Sequence, residues 1–172
     1  LDKQTKDIFT KKLIEDLKKQ INSNEPEFFK QLNFQRILSL IDHEIKGTKL
    51  SEFKKNKYEN IAYGLRISLK GKKRDLLLNG EFLLSELSAI IQKDFGLEPM
   101  HLYEFKIGDF KFGPECDEWQ EIFDSLDDFK IGAAFSVADL SLNSKFGFLY
   151  DFGDRILFNI KIKEIKKLNF NI

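Results

Sequence analysis

At 172 residues and 20.2 kDa, with 42% apolar and 33% charged residues but only 10 Gly and 3 Pro, the chain has the size of one domain, and its composition excludes disordered, collagen-like and low-complexity states. A lone cysteine, Cys116, and two histidines, His43 and His101, exclude disulfide frameworks, Cys-based zinc knuckles and CxxC redox chemistry. The zero formal net charge hides an asymmetry: 18 basic and 10 acidic residues lie up to Arg74, and 10 basic and 18 acidic beyond it.

The first elements read as helices. Ile8, Phe9, Leu13, Leu17 and Ile21 recur at helical spacing with Lys and Glu largely opposite. Asn22 to Pro26 breaks the pattern, and a second helix is expected from about Glu27 to Ile45, with Phe28, Phe29, Leu32, Ile37, Leu40, Ile41 and Ile45 as its apolar set. Residues 1–60 are therefore expected to form an N-terminal helical hairpin that precedes the main domain, residues 61–172.

From about residue 61 the period changes to two. Tyr63, Leu65, Ile67 and Leu69 predict a half-buried strand that ends in a basic turn, Lys70 to Arg74, and Leu76 to Leu78 return as its partner. Ser85 is the expected cap of a short helix with Leu87, Ile90 and Ile91 inward and Gly96 at its stop. His101, Tyr103, Phe105 and Ile107 alternate into a hairpin with Phe110 and Phe112 across Gly108-Asp109. The acidic stretch Glu115 to Asp128 holds Trp119 and reads as a loop or a short helix around Trp119, Ile122, Phe123 and Leu126. Ser136 is expected to cap a helix to Leu142. Phe146, Phe148, Tyr150 and Phe152 alternate into a turn at Gly153-Asp154, from which Ile156, Phe158, Ile160 and Ile162 alternate out. The predicted fold is α+β with a mainly antiparallel sheet and short packed helices.

Four segments carry a family likeness: Gly64-Leu-Arg-Ile-Ser-Leu-Lys-Gly71; Leu84-Ser-Glu-Leu87 with Phe95-Gly96; His101-Leu-Tyr-Glu-Phe105; and Tyr150-Asp-Phe-Gly-Asp154. In order and spacing this chain resembles the plasmid pRiA4b ORF-3-like family over about residues 61–165. The resemblance implies a compact α+β domain of plasmid and mobile-element proteins, with no established activity. The matching positions are His101, Tyr103, Phe105, Gly113, Tyr150, Asp151, Gly153 and Asp154, with Arg74 a looser match. The chain departs from the family at Ser88 and Phe158, where a His is common, and at Leu97 and Ile156, where a Trp is common.

His101, Asp151 and Asp154 are the one combination that could converge as a metal or general acid/base site. The competing reading is that the two acids hydrogen-bond backbone N–H groups in a tight turn, with Gly153 at positive φ, and that His101 is a partly buried strand residue. Cys116 lies among acids, without the electropositive setting that makes a thiolate. Phosphate-loop, nucleophile-elbow, HExxH and GxGxxG patterns do not occur. No catalytic residue, cofactor or metal is therefore expected.

The expected function is a non-enzymatic protein-binding or adaptor module linked to mobile-element biology, with His101, Tyr103, Trp119, Tyr150, Asp151 and Asp154 as its binding residues. The alternative is a nucleic-acid-contacting accessory protein that uses the basic first half through Lys70, Lys72, Lys73 and Arg74. A weaker one is a metal-dependent hydrolase. Neither a membrane-length apolar run nor an export signal at Leu1 to Lys6 is present in the sequence, so no membrane partner and a cytoplasmic setting are expected.

Overall fold

In the computed structural model, residues 11–13, 15–16, 18–19, 26–114, 123 and 125–169 are described, with backbone alone at 29 and 33. Helical backbone at 11–13, 15–16 and 18–19 is followed by α1 (Glu27–Lys55), β1 (Ile61–Leu69), β2 (Lys72–Asn79), α2 (Leu84–Asp94), β3 (Tyr103–Ile107), β4 (Phe110–Phe112), α3 (Ile131–Val137), β5 (Lys145–Tyr150) and β6 (Ile156–Lys167). The chain divides into two compact units between Lys49 and Leu50. Among the described residues no helix is long and apolar enough to cross a membrane.

α1 runs ten residues past Ile45, where the apolar pattern was expected to end. An Asp42–Lys46 pair at 2.9 Å supports the added turns at i,i+4 spacing. Leu50 is fully buried, and Lys54 and Lys55 sit in the last turn, favourable for the helix dipole. The Tyr58 hydroxyl donates to the Phe53 carbonyl at 3.0 Å, which satisfies one of the carbonyls left open at the helix end.

All six strands pair antiparallel, in the order β2-β1-β6-β5-β3-β4. β1 and β2 turn through Lys70 and Gly71 alone, both at positive φ, so the expected basic turn is mostly strand. β3 begins at Tyr103, leaving His101 just outside it. The strand alternation sends Leu65, Ile67, Phe105, Phe148, Phe158 and Ile160 to one face, where α2 and α3 add Leu87, Ile91, Ala134 and Phe135. Aromatic rings carry much of this core: Phe105–Phe148 centroids are 4.6 Å apart, Phe95–Phe158 4.9 Å and Tyr63–Phe135 5.0 Å. Phe123 and Leu126 are buried in the same cluster. Among the described residues of 50–172 no helix covers the opposite face.

The helix termini differ in detail from expectation. α2 starts two residues earlier than a Ser85 cap allows. Leu83 is the cap, its N–H donating to Glu86 Oε2 at 2.8 Å, while the Ser85 N–H goes to the Asp127 carbonyl. The end of α2 is as expected, with Gly96 at φ +64°. Its N–H donates to Lys93 O, and that of Leu97 to Gln92 O, the paired bonds of a Schellman stop. The short helix placed at Ser136 to Leu142 instead occupies Ile131–Val137, because its start is set by tertiary bonds. Ile131 N–H donates to Phe82 O at 2.7 Å and Gly132 N–H to Gly80 O at 2.9 Å.

Candidate functional site

The polar groups gather where α2 crosses β3 and β5. Tyr103 and Tyr150 are register partners on neighbouring strands, so both phenols project to the helix-covered face. Ser88 and Gln92, one turn apart on α2, meet them there: Gln92 Nε2 donates to Ser88 Oγ at 2.8 Å. The Tyr150 hydroxyl donates to the Glu98 carbonyl and lies 3.5 Å from Gln92 Oε1. The Tyr103 hydroxyl donates to Asp127 Oδ2 at 2.9 Å, and the Ser125 hydroxyl donates to the other carboxylate oxygen. Burial, and then the bond to Asp127 and its charge, push the Tyr103 pKa far above the ordinary 10, while a hydrogen bond with Ser88 opposes the shift. The phenol therefore remains a protonated donor and does not act as a base at neutral pH.

His101 and Asp151 form the outward edge of this corner. His101 Nδ1 is 3.3 Å from Asp151 Oδ2, and its ring stands edge-on to Tyr150 with centroids 5.8 Å apart. Asp151 Oδ1 accepts the N–H groups of Gly153 at 3.0 Å and Asp154 at 3.3 Å. The left-handed residues of this turn are Asp151, φ +54°, and Arg155, φ +52°; Gly153, where positive φ was expected, is not one of them. The role of Gly153 is close approach, since a Cβ there would lie 3.2 Å from Asp151 Oδ1. Asp154 contributes its backbone N–H, and its exposed side chain takes no part in the His101–Asp151 pair. Among the described residues no three His, Cys, Asp or Glu side chains group so as to hold a metal ion.

Of the residues picked from sequence, then, the fold brings together His101, Tyr103, Tyr150 and Asp151 and leaves Asp154 aside. Trp119 lies outside the described residues. The positions that depart from the family resemblance belong to the same corner. Ser88 bonds Tyr103 and Gln92, Phe158 is fully buried against Phe95 and Phe148, and Leu97 and Ile156 pack on the core. Gln92 and Asp127 were not legible as members. Gln92 is one i,i+4 step from Ser88, a usable signal, but Asp127 is placed by a loop bond to Ser85 that no local pattern announces.

The basic run is divided by the strand pleat. Lys72 and Arg74 pair with Leu69 and Ile67 on the core side, Lys72 Nζ lying 5.8 Å from the Phe95 ring centre, whereas Lys73 pairs with Ser68 on the opposite face.

A family model described as plasmid pRiA4b ORF-3-like protein matches residues 61–171. The chain belongs to this family. A relative, the uncharacterized protein y4hQ of Sinorhizobium fredii (strain NBRC 101917 / NGR234), is 36% identical over 80 residues, which are 46% of this chain and 40% of that protein. The chain thus spans well under half of that relative's length. The crystal structure of the protein of unknown function MM3350 from Methanosarcina mazei Go1 is similar with a TM-score of 0.50 at 23% identity, over 65% of this chain and 64% of that one. It supports the fold. The match to the plasmid pRiA4b ORF-3-like family takes in all six strands and the Tyr103–Tyr150 corner, and α1 precedes it.

Proposed function

We propose that the chain is a non-enzymatic, cytoplasmic binding module of plasmid- or mobile-element-linked processes, and that it engages a protein partner through α1. The observation that carries this reading is an exposed apolar seam. Phe34, Leu38, Ile41 and Ile45 follow one another at steps of four, three and four residues, the spacing that aligns side chains for packing against another helix. Phe34 is 47% exposed, Leu38 43% and Ile45 52%, with Ile41 half-buried. Exposed apolar patches of this kind mark interaction sites. In this reading residues up to about 60 are the partner-engaging extension and residues 61–172 the family domain. The Tyr103–Tyr150 corner supports binding over turnover, because its phenols already hydrogen-bond within the fold.

The test is retention of a protein from nuclease-treated native extract on the immobilised full-length chain, run beside a Leu38→Glu/Ile45→Glu variant. A discrete protein held by the first and lost by the second is expected. Equal retention by both, or a homodimer in light scattering that the same two substitutions dissociate, overturns the adaptor reading.

A further inference from the structure

Residues paired across antiparallel strands project to the same face of a sheet, so the pairings define rows on the face that α2 and α3 leave uncovered. One row reads Lys73, Ser68, Asn159, Gly147, Lys106, Lys111 across β2, β1, β6, β5, β3 and β4. The next, two residues along, reads Asp75, Arg66, Lys161, Lys145. Together these rows hold six cations and one carboxylate.

The carboxylates on this face are engaged. Asp75 takes two hydrogen bonds from Arg66, at 2.8 and 2.7 Å; Glu104 lies 3.8 Å from Lys111 and Glu164 3.0 Å from Lys166. The Arg66 bonds, together with the charges of Arg66, Lys163 and Lys73, hold the Asp75 carboxyl below its usual range against a smaller desolvation effect. Lys73, Lys106, Lys145 and Lys161 have no ion pair among the described residues.

Shape follows from strand spacing. Lys73 and Lys106 are separated by four strand intervals, about 19 Å at ~4.8 Å each, and the two rows by about 7 Å. Between them lie the short side chains of Ser68 and Asn159 and the backbone of Gly147, with Leu157 Cδ1 3.5 Å from where a Cβ would stand, forming a shallow floor with hydroxyl and carboxamide donors between banks of lysine. We propose that this face binds duplex nucleic acid through its phosphate backbone, without reading sequence. Lysine, serine and asparagine are phosphate-contacting side chains. Neither row carries an aromatic residue, whereas single-strand binders stack bases on aromatics and membrane-surface elements bury an apolar face with aromatics among it. This surface is independent of α1, and it differs from the Lys70–Arg74 run because it takes only Lys73 of that run and adds lysines from β3, β4, β5 and β6.

The test is fluorescence anisotropy of a labelled 20-base-pair mixed-sequence duplex with the full-length chain between 50 and 200 mM salt. Four lysine–phosphate contacts give a log–log slope of about −3.6, an affinity loss of about 150-fold over that range. Lys145→Gln/Lys161→Gln is expected to reduce the slope by about 2, while Lys72→Gln, in the basic run but on the other side, leaves the curve unchanged. Absence of binding at 50 mM, an unaltered slope in the double variant, or binding to phosphatidylserine vesicles and not to duplex overturns the proposal. Circular dichroism of the double variant, whose substitutions replace one exposed and one half-exposed lysine, separates loss of contact from loss of fold.

Discussion

Gly132→Ala places two known effects in opposition. Gly132 lies in α3, where replacing Gly by Ala gains up to about 1 kcal/mol of helix propensity. An added Cβ, however, would meet Tyr58 Cγ at 2.3 Å, Cβ at 2.5 Å and Cδ1 at 2.6 Å, against ordinary carbon contacts of about 3.5–4.0 Å. The ring would have to retreat by more than an ångström, and it is held on several sides. Its hydroxyl donates to Phe53 O, the Tyr58 N–H donates to Glu81, and Gly80 abuts the Tyr58 Cβ so closely that a Cβ there would be 2.7 Å away. Overpacking of this kind costs roughly 1–3 kcal/mol. With so little room to yield, the upper half of that range exceeds the propensity gain, leaving a net loss of about 1–2 kcal/mol. For a chain of this size that lowers Tm by roughly 2–8 °C. A thermal melt followed by circular dichroism measures it, and a double-mutant cycle with Tyr58→Gly isolates the clash, since Gly132→Ala should become neutral or stabilising once the ring and its Cβ are gone. An unchanged or raised Tm in the single variant, or an equal loss in both backgrounds, would refute the reasoning.

Tyr103→Phe removes the donor to Asp127 and is expected to cost about 1 kcal/mol in urea unfolding at pH 7. Because the folded Tyr103 pKa is raised, its contribution is complete below the ordinary value near 10 and is lost as pH rises beyond it, when the unfolded phenol ionises first. The variant should show a shallower loss of stability between pH 9 and 11; equal alkaline slopes would count against the assignment. Glu81 shows the reverse. Hydrogen bonding to Lys130, at 2.7 Å, is the largest influence lowering its pKa, so its contribution is present above the ordinary 4.5 and lost as pH falls through the folded value. Lys130→Met should flatten that acid limb in stability measured from pH 6 to 3, and an unchanged limb would contradict the pairing. Gly96→Ala forces a side chain into φ +64° at the end of α2 and should destabilise by about 1 kcal/mol, read as a lower urea midpoint at constant slope.

Much of the sheet was legible because its signal is local. The alternation in Tyr63 to Leu69, Phe146 to Tyr150 and Ile156 to Ile162 has a period of two on a half-buried face, and that requires strands wherever they pair. The Gly96 stop and the Gly108 turn were legible for a similar reason, since the left-handed backbone both adopt favours glycine. Helix starts were less so. α2 is capped at Leu83 and α3 at Lys130 because those segments hydrogen-bond each other: Leu84 N–H donates to Phe129 O and Ile131 N–H to Phe82 O. The two partners lie more than forty residues apart, beyond the reach of any capping pattern.

By itself the sequence determined the α+β class, the family likeness, and a charge count that is basic in one half and acidic in the other. Only the tertiary structure decided which charges share a surface. Counting along the chain set Lys145 and Lys161 in an acidic half and Lys72 to Arg74 in one basic run. The sheet order places β6 beside β1 and β5 beside β6, so Lys161 and Lys145 join Arg66 in one row, while the pleat sends Lys72 and Arg74 to the other side. Net charge is a property of sequence, whereas a charged face depends on pairing register, because a one-residue shift moves every side chain of a strand to the opposite side.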